Sequence, residues 1–194
     1  MNVERTIDGG LIAWFAPIEV ELLHLATSQL VELLGGAREA TELAASDPAI
    51  RRLLPDAYTD DPEAAEEFRR FTADALLEAK MHCAVLVRDA LANLQGRGDV
   101  LPSPSQSART DGPDGPDGPD GADGTDSPEL VVIDAPAVFS WLRALTDLRL
   151  TLAERLQMSP DGEIHLAGEE AEFLNDLYDW LGMVQESFIY SIDV

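Results

Sequence analysis

Few residues in this 194-residue chain could do chemistry, and they are scattered. There is one cysteine and there are three histidines. Cys83 follows His82, and a thiol polarised by an imidazole would be a nucleophile. On a helix, however, adjacent side chains diverge by about 100°. Cys83 therefore reads as a small buried hydrophobe, with a redox-sensitive thiol as the alternative. His24, His82 and His165 are too dispersed for a metal site. Glu66-Glu67 and Glu169-Glu170 read as solvated helix starts rather than an acid/base dyad. There is no nucleophile elbow, phosphate loop, dinucleotide fingerprint or zinc spacing. The expectation is a protein that is not an enzyme and takes no metal or cofactor.

One cation stands out. Val138, Trp141, Leu142, Leu145, Leu148, Leu152 and Leu156 fall on one arc of a helix, and Arg149 falls inside it. A guanidinium cannot be discharged and is costly to bury unpaired. Arg149 should tie this helix to another segment; the alternative is an arginine that holds a partner or ligand. Asp147 falls on the opposite face, four residues from Arg143, as a surface pair worth little.

The rest of the chain must position these groups. A hydrophobic content of 45% supplies a core, and the preponderance of Leu and Ala over aromatics favours helices. The net charge is −24. The tract 96–128 carries seven Asp against two Arg, which leaves −19 on the remainder. Such a surface repels phosphate backbones, so direct DNA binding is expected to be weak, and a basic protein partner or plain solubility explains the charge more readily. The lone cysteine and the absence of a signal peptide or membrane span point to the cytoplasm.

In chain order, Asp8-Gly9 between two β-favouring runs predicts a hairpin over 3–15. Pro17 opens a helix over 17–34, with Ile18, Leu22, Leu25, Leu30 and Leu33 inward and Gly35-Gly36 as its stop. Asp47-Pro48 starts a short helix over 47–54, and Asp61-Pro62 a long one over 62–95. One broad face of the long helix holds Phe68, Phe71, Leu76, Cys83, Leu86, Val87 and Leu94. Residues 96–128, with glycine every third position from 112 to 124, read as a disordered acidic linker. Glu129–Ile133 either adds a strand to the hairpin or lies across the core. Asp134 caps a helix over about 135–157, and a last helix covers about 170–190. The fold class is mainly α. Four long helices and a short one form a single domain whose halves, 1–95 and 129–194, flank the linker.

Several blocks together resemble a known family. They are Asp47-Pro-Ala-Ile-Arg-Arg-Leu-Leu-Pro55, Asp56-Ala-Tyr58, Glu67-Phe-Arg69, Trp141 to Leu150, Arg155-Leu156, Tyr178-Asp-Trp-Leu-Gly182 and Gln185-Glu-Ser187. They are similar to an actinobacterial family of domains of unknown function that includes the oxidative-stress regulator AosR. The resemblance implies a transcriptional regulator of redox and cysteine metabolism, acting through a sigma factor or RNA polymerase. An adaptor or scaffold linked to Clp-dependent proteolysis is the alternative. The chain departs from a two-cysteine redox sensor, because Cys83 has no second cysteine to join. Arg51, Arg52, Arg69, Arg149 and Arg155 lie within these blocks. With Glu67, Asp147 and Glu186, they are expected to form an ionic network at the helix junctions, with Asp56, Glu67 or Glu186 as acceptors and Gln185 a further partner for Arg149 or Arg155.

Overall fold

The computed structural model describes residues 2–39, 46–98 and 127–193. Strands β1 (Asn2–Arg5) and β2 (Leu11–Phe15) form the expected antiparallel hairpin. Its loop is closed by Thr6 N–H donating to Gly10 O at 2.9 Å. Gly9 supplies the left-handed turn residue at φ +87°, and a Cβ on Gly10 would lie 2.5 Å from the Ile133 carbonyl. Ile7 stands in the exposed loop rather than in the strand.

Strand β3 (Glu129–Ile133) pairs antiparallel with β2, so the run after the acidic tract joins the hairpin rather than lying across the core. The register sets Leu11 against Ile133 and Ala13 against Val131. Strand alternation turns these four residues and Phe15 inward as one buried face.

Five helices follow among the described residues: α1 (Pro17–Arg38), α2 (Pro48–Leu53), α3 (Pro62–Gly98), α4 (Ala135–Arg155) and α5 (Glu169–Asp193). Helix α4 lies at the centre, against α1, α2, α3 and α5. Trp141 on α4 is buried and packs on Phe188 of α5 at 5.9 Å between ring centroids. The core thus draws on residues from both sides of the acidic tract. The expected linker falls mostly on residues 99–126, outside the described residues; its first residues, 96–98, continue α3.

Helix α1 differs from expectation twice. It runs through Gly35-Gly36 to Arg38, because glycine permits a left-handed stop without imposing one, and Gly35 is packed beside Met81 of α3. Its buried face is Val20, Leu23, Thr27, Leu30 and Leu34, while Ile18 and Leu25 are 58% and 56% exposed. The helix carries two apolar arcs, and its neighbours select the other one. Thr27 enters the core because its hydroxyl donates to Leu23 O at 2.8 Å.

Helix α3 also departs from one continuous buried face. Leu77, Cys83, Ala84, Val87 and Leu91 are buried, but Phe68, Phe71 and Leu76 are exposed. Asp61 caps α3 by accepting from Ala64 N–H at 3.0 Å, as expected. Asp134 stands at the start of α4 without a side-chain cap bond; only its carbonyl engages the helix.

Candidate functional site

The charged residues of the family-like blocks separate into discrete contacts rather than one network. Arg149, half-buried on α4, sits over the Tyr178 ring of α5, with Cζ 4.5 Å from the centroid. Its Nη1 donates to Gln185 Oε1 at 3.1 Å. Gln185 in turn donates to Thr146 at 2.6 Å. No carboxylate pairs with Arg149 among the described residues, and its buried Nε has no hydrogen-bond partner there. Gly182 faces the guanidinium: a Cβ there would lie 3.4 Å from Cζ.

Asp147 corrects the expectation of a surface pair with Arg143. It is 3% exposed, and its Oδ1 accepts from Lys80 Nζ on α3 at 2.6 Å. Burial pushes its carboxyl above the ordinary value of 3.8, against the opposing pull of the Lys80 ammonium and then of Arg143. Arg143 acts only through its charge; the partner is the single lysine of the chain.

Arg155 grips Asp47 through two hydrogen bonds, at 2.6 and 3.1 Å. Asp47 also caps α2 by accepting from Ala49 N–H at 2.9 Å. Desolvation raises the Asp47 carboxyl pKa, but Arg155 and the Ala49 amide outweigh it, so the net shift is downward. Arg52 donates to the Met158 carbonyl at 3.0 Å and stands 3.5 Å from Glu154. Arg69 pairs with Asp56, as the blocks implied. Arg51, Glu67 and Glu186 are exposed and make no ion pair among the described residues.

Sequence reasoning missed Lys80. Its signal was present: a lone lysine three residues before Cys83, among inward-facing positions of α3. It also missed Glu19, which accepts from the Ala16 N–H at 2.7 Å and from Trp180 Nε1 at 2.9 Å, tying α1 to α5.

Two apolar grooves flank α4. One, about 530 Å³, lies between α3 and α4, is lined by Leu76, Phe139, Leu142 and Leu150, and carries the Lys80–Asp147 bridge. Cys83 contributes to its wall but is 5% exposed, while His82 is exposed. The other, about 360 Å³, runs between α1, α4 and α5 and is lined by Leu22, Leu25, Leu33, Leu152, Phe173 and Leu177. Among the described residues, no group of three or more His, Cys, Asp or Glu is placed to hold a metal. None of the described helices is long and apolar enough to cross a membrane.

Fold and site define an acidic, mainly helical domain whose buried and half-buried charges link helices and whose grooves are largely apolar. The chain belongs to the family described as "Domain of unknown function (DUF2017)", which matches residues 1–192. It is 28% identical over 196 residues to a protein of Mycobacterium leprae (strain TN) that bears the oxidative stress regulator name AosR. That match covers 91% of this chain and 80% of the relative. It is also 28% identical over 178 residues to the "Oxidative stress regulator AosR" of Mycobacterium tuberculosis (strain ATCC 25618 / H37Rv), covering 84% of this chain and 66% of the relative. No solved structure matches the chain.

Proposed function

We propose that this protein is a non-enzymatic, cytoplasmic regulator of the response to oxidative stress, controlling genes of redox and cysteine metabolism by binding a sigma factor or RNA polymerase. The observation that carries this reading is similarity along 91% of the chain to a relative named as an oxidative stress regulator. The charge of −24 supports a protein partner, since it opposes contact with DNA phosphates and attracts basic protein surfaces. An intrachain disulfide does not carry the signal, because these 194 residues hold one cysteine.

Purification of the tagged protein from the cells that encode it, with and without oxidant, tests the reading. Enrichment of RNA polymerase with a sigma factor is the expected result. Enrichment of Clp components, or of neither set, would overturn it.

A further inference from the structure

Helices α1 and α5 are tied together where Trp180 meets Glu19. Beyond that tie the α1–α4–α5 groove separates them, with α4 contributing the floor residues Leu148 and Leu152. The walls are apolar yet uncovered: Leu25 is 56% exposed and Phe173 is 53% exposed. Leu22 and Leu25 continue the second apolar arc of α1, and Leu33 on the same arc also packs against the core. Two exposed large side chains on facing helices, above a leucine floor, match the way a groove receives one face of an amphipathic helix.

Charge decides what kind of helix fits. Glu21 and Glu32 lie four residues before and seven after Leu25, on the exposed side of α1. Glu170 lines the groove, and the exposed Asp176 lies one turn after Phe173. The cation on the lining, Arg155, is already held by both carboxylate oxygens of Asp47. The α3–α4 groove has a different character, with Lys80 and Arg143 set beside Asp147.

We infer that the α1–α4–α5 groove is the docking site for a helix of the partner protein, one whose apolar stripe is flanked by Lys and Arg. The inference rests on the protein-partner reading above and locates it on this surface. The partner's apolar side chains would cover Leu25 and Phe173, and its cations would meet Glu21, Glu32, Glu170 and Asp176.

The test uses a fluorescent peptide of about 18 residues, built only from Leu and Lys in an amphipathic helical repeat, long enough for about five turns. Its Leu/Glu twin is the control. The full chain should bind the Leu/Lys peptide and not the twin, read by fluorescence anisotropy at physiological salt. The double variant Leu25→Ser/Phe173→Ser should weaken binding at least about tenfold, through lost apolar contact. Both positions are more than half exposed, so this variant should melt with wild type. Phe139→Ser, in the other groove, should bind like wild type. Equal binding by wild type and the double variant would mean diffuse attraction to an acidic surface and would overturn the inference. So would a loss confined to Phe139→Ser, or no binding at all. If RNA polymerase still co-purifies in that event, the regulator reading survives without this groove. If the groove binds as expected and no transcription component co-purifies, the groove stands and the regulator reading falls.

Discussion

Lys80 Nζ of α3 meets Asp147 Oδ1 of α4 at 2.6 Å, and the two side chains are 23% and 5% exposed. Burial dominates this pair, holding the Asp147 carboxyl above its ordinary 3.8 although Lys80 and Arg143 pull it down. The folded chain therefore binds this proton more tightly than the unfolded chain does. The contribution is fully present below pH 3.8 and is lost as pH rises through the raised folded pKa. At neutral pH the two partners should respond unequally to substitution. Lys80→Met leaves a buried carboxylate unpaired and should cost about 3 kcal/mol at pH 7, less as the pH falls and Asp147 protonates. Asp147→Asn should be no less stable than wild type at pH 7. Urea unfolding between pH 4 and 7 checks both, and equal losses in the two variants would contradict the argument.

Arg149 is held by the Tyr178 ring beneath its charge and by an amide rather than by a carboxylate. Arg149→Ala should lose about 1–2 kcal/mol, a drop in Tm of roughly 2–8 °C for a domain of this size. Arg149→Lys should recover little, because an ammonium lacks the flat surface that covers Tyr178. Gly182→Ala should be tolerated or stabilising by up to about 1 kcal/mol, since its methyl would meet the guanidinium at ordinary contact and alanine favours the helix. Gly182→Leu should displace the guanidinium and lower Tm. A thermal melt of the four variants is sufficient. An Arg149→Ala protein that melts like wild type yet fails to bind its partner would reassign this arginine to the interface.

Asp47 joins two tasks, capping α2 and holding Arg155 of α4. Its carboxyl is held below the usual range, so its contribution is present above pH 3.8 and lost as pH falls through the lower folded value. Asp47→Ala should cost about 1–2 kcal/mol at pH 7, chiefly through the cap, with the 44% exposed Arg155 adding little. Chemical denaturation at pH 7 and below pH 3 should show the difference from wild type shrinking in acid.

Cys83 is 5% exposed in the wall of the α3–α4 groove. Its thiol should react with an aromatic disulfide reagent at least about tenfold more slowly in the native protein than in urea, because attack requires local opening. Equal rates would restore a reactive thiol.

The sequence was most informative where local chemistry acts alone. Asp8-Gly9, Pro17, Asp47-Pro48 and Asp61-Pro62 marked a turn and three helix starts, and the structure has each. It was ambiguous where two answers satisfy the same pattern. Helix α1 has leucines on two arcs, and only the packing of α3 and α4 decides that Leu23 is inside and Leu25 outside. Gly35-Gly36 fits a stop as well as a helix interior that packs closely. Asp147 looked solvated because its i, i+4 neighbour is Arg143; its real partner, Lys80, lies 67 positions away in sequence. Of the five arginines, Arg69 meets Asp56, one of the acceptors offered for them, and Arg51 makes no ion pair among the described residues, while the partners of Arg155 and Arg149, Asp47 and a tyrosine face, depend on how helices meet.

Transcript profiling of a deletion strain, with and without complementation, before and after a thiol oxidant, tests the regulatory role in the cell. Induction of redox and cysteine-metabolism genes should be lost on deletion, return with the wild-type copy, and not return with Leu25→Ser/Phe173→Ser. Identical oxidant-induced profiles in deleted and wild-type cells would contradict a regulatory role.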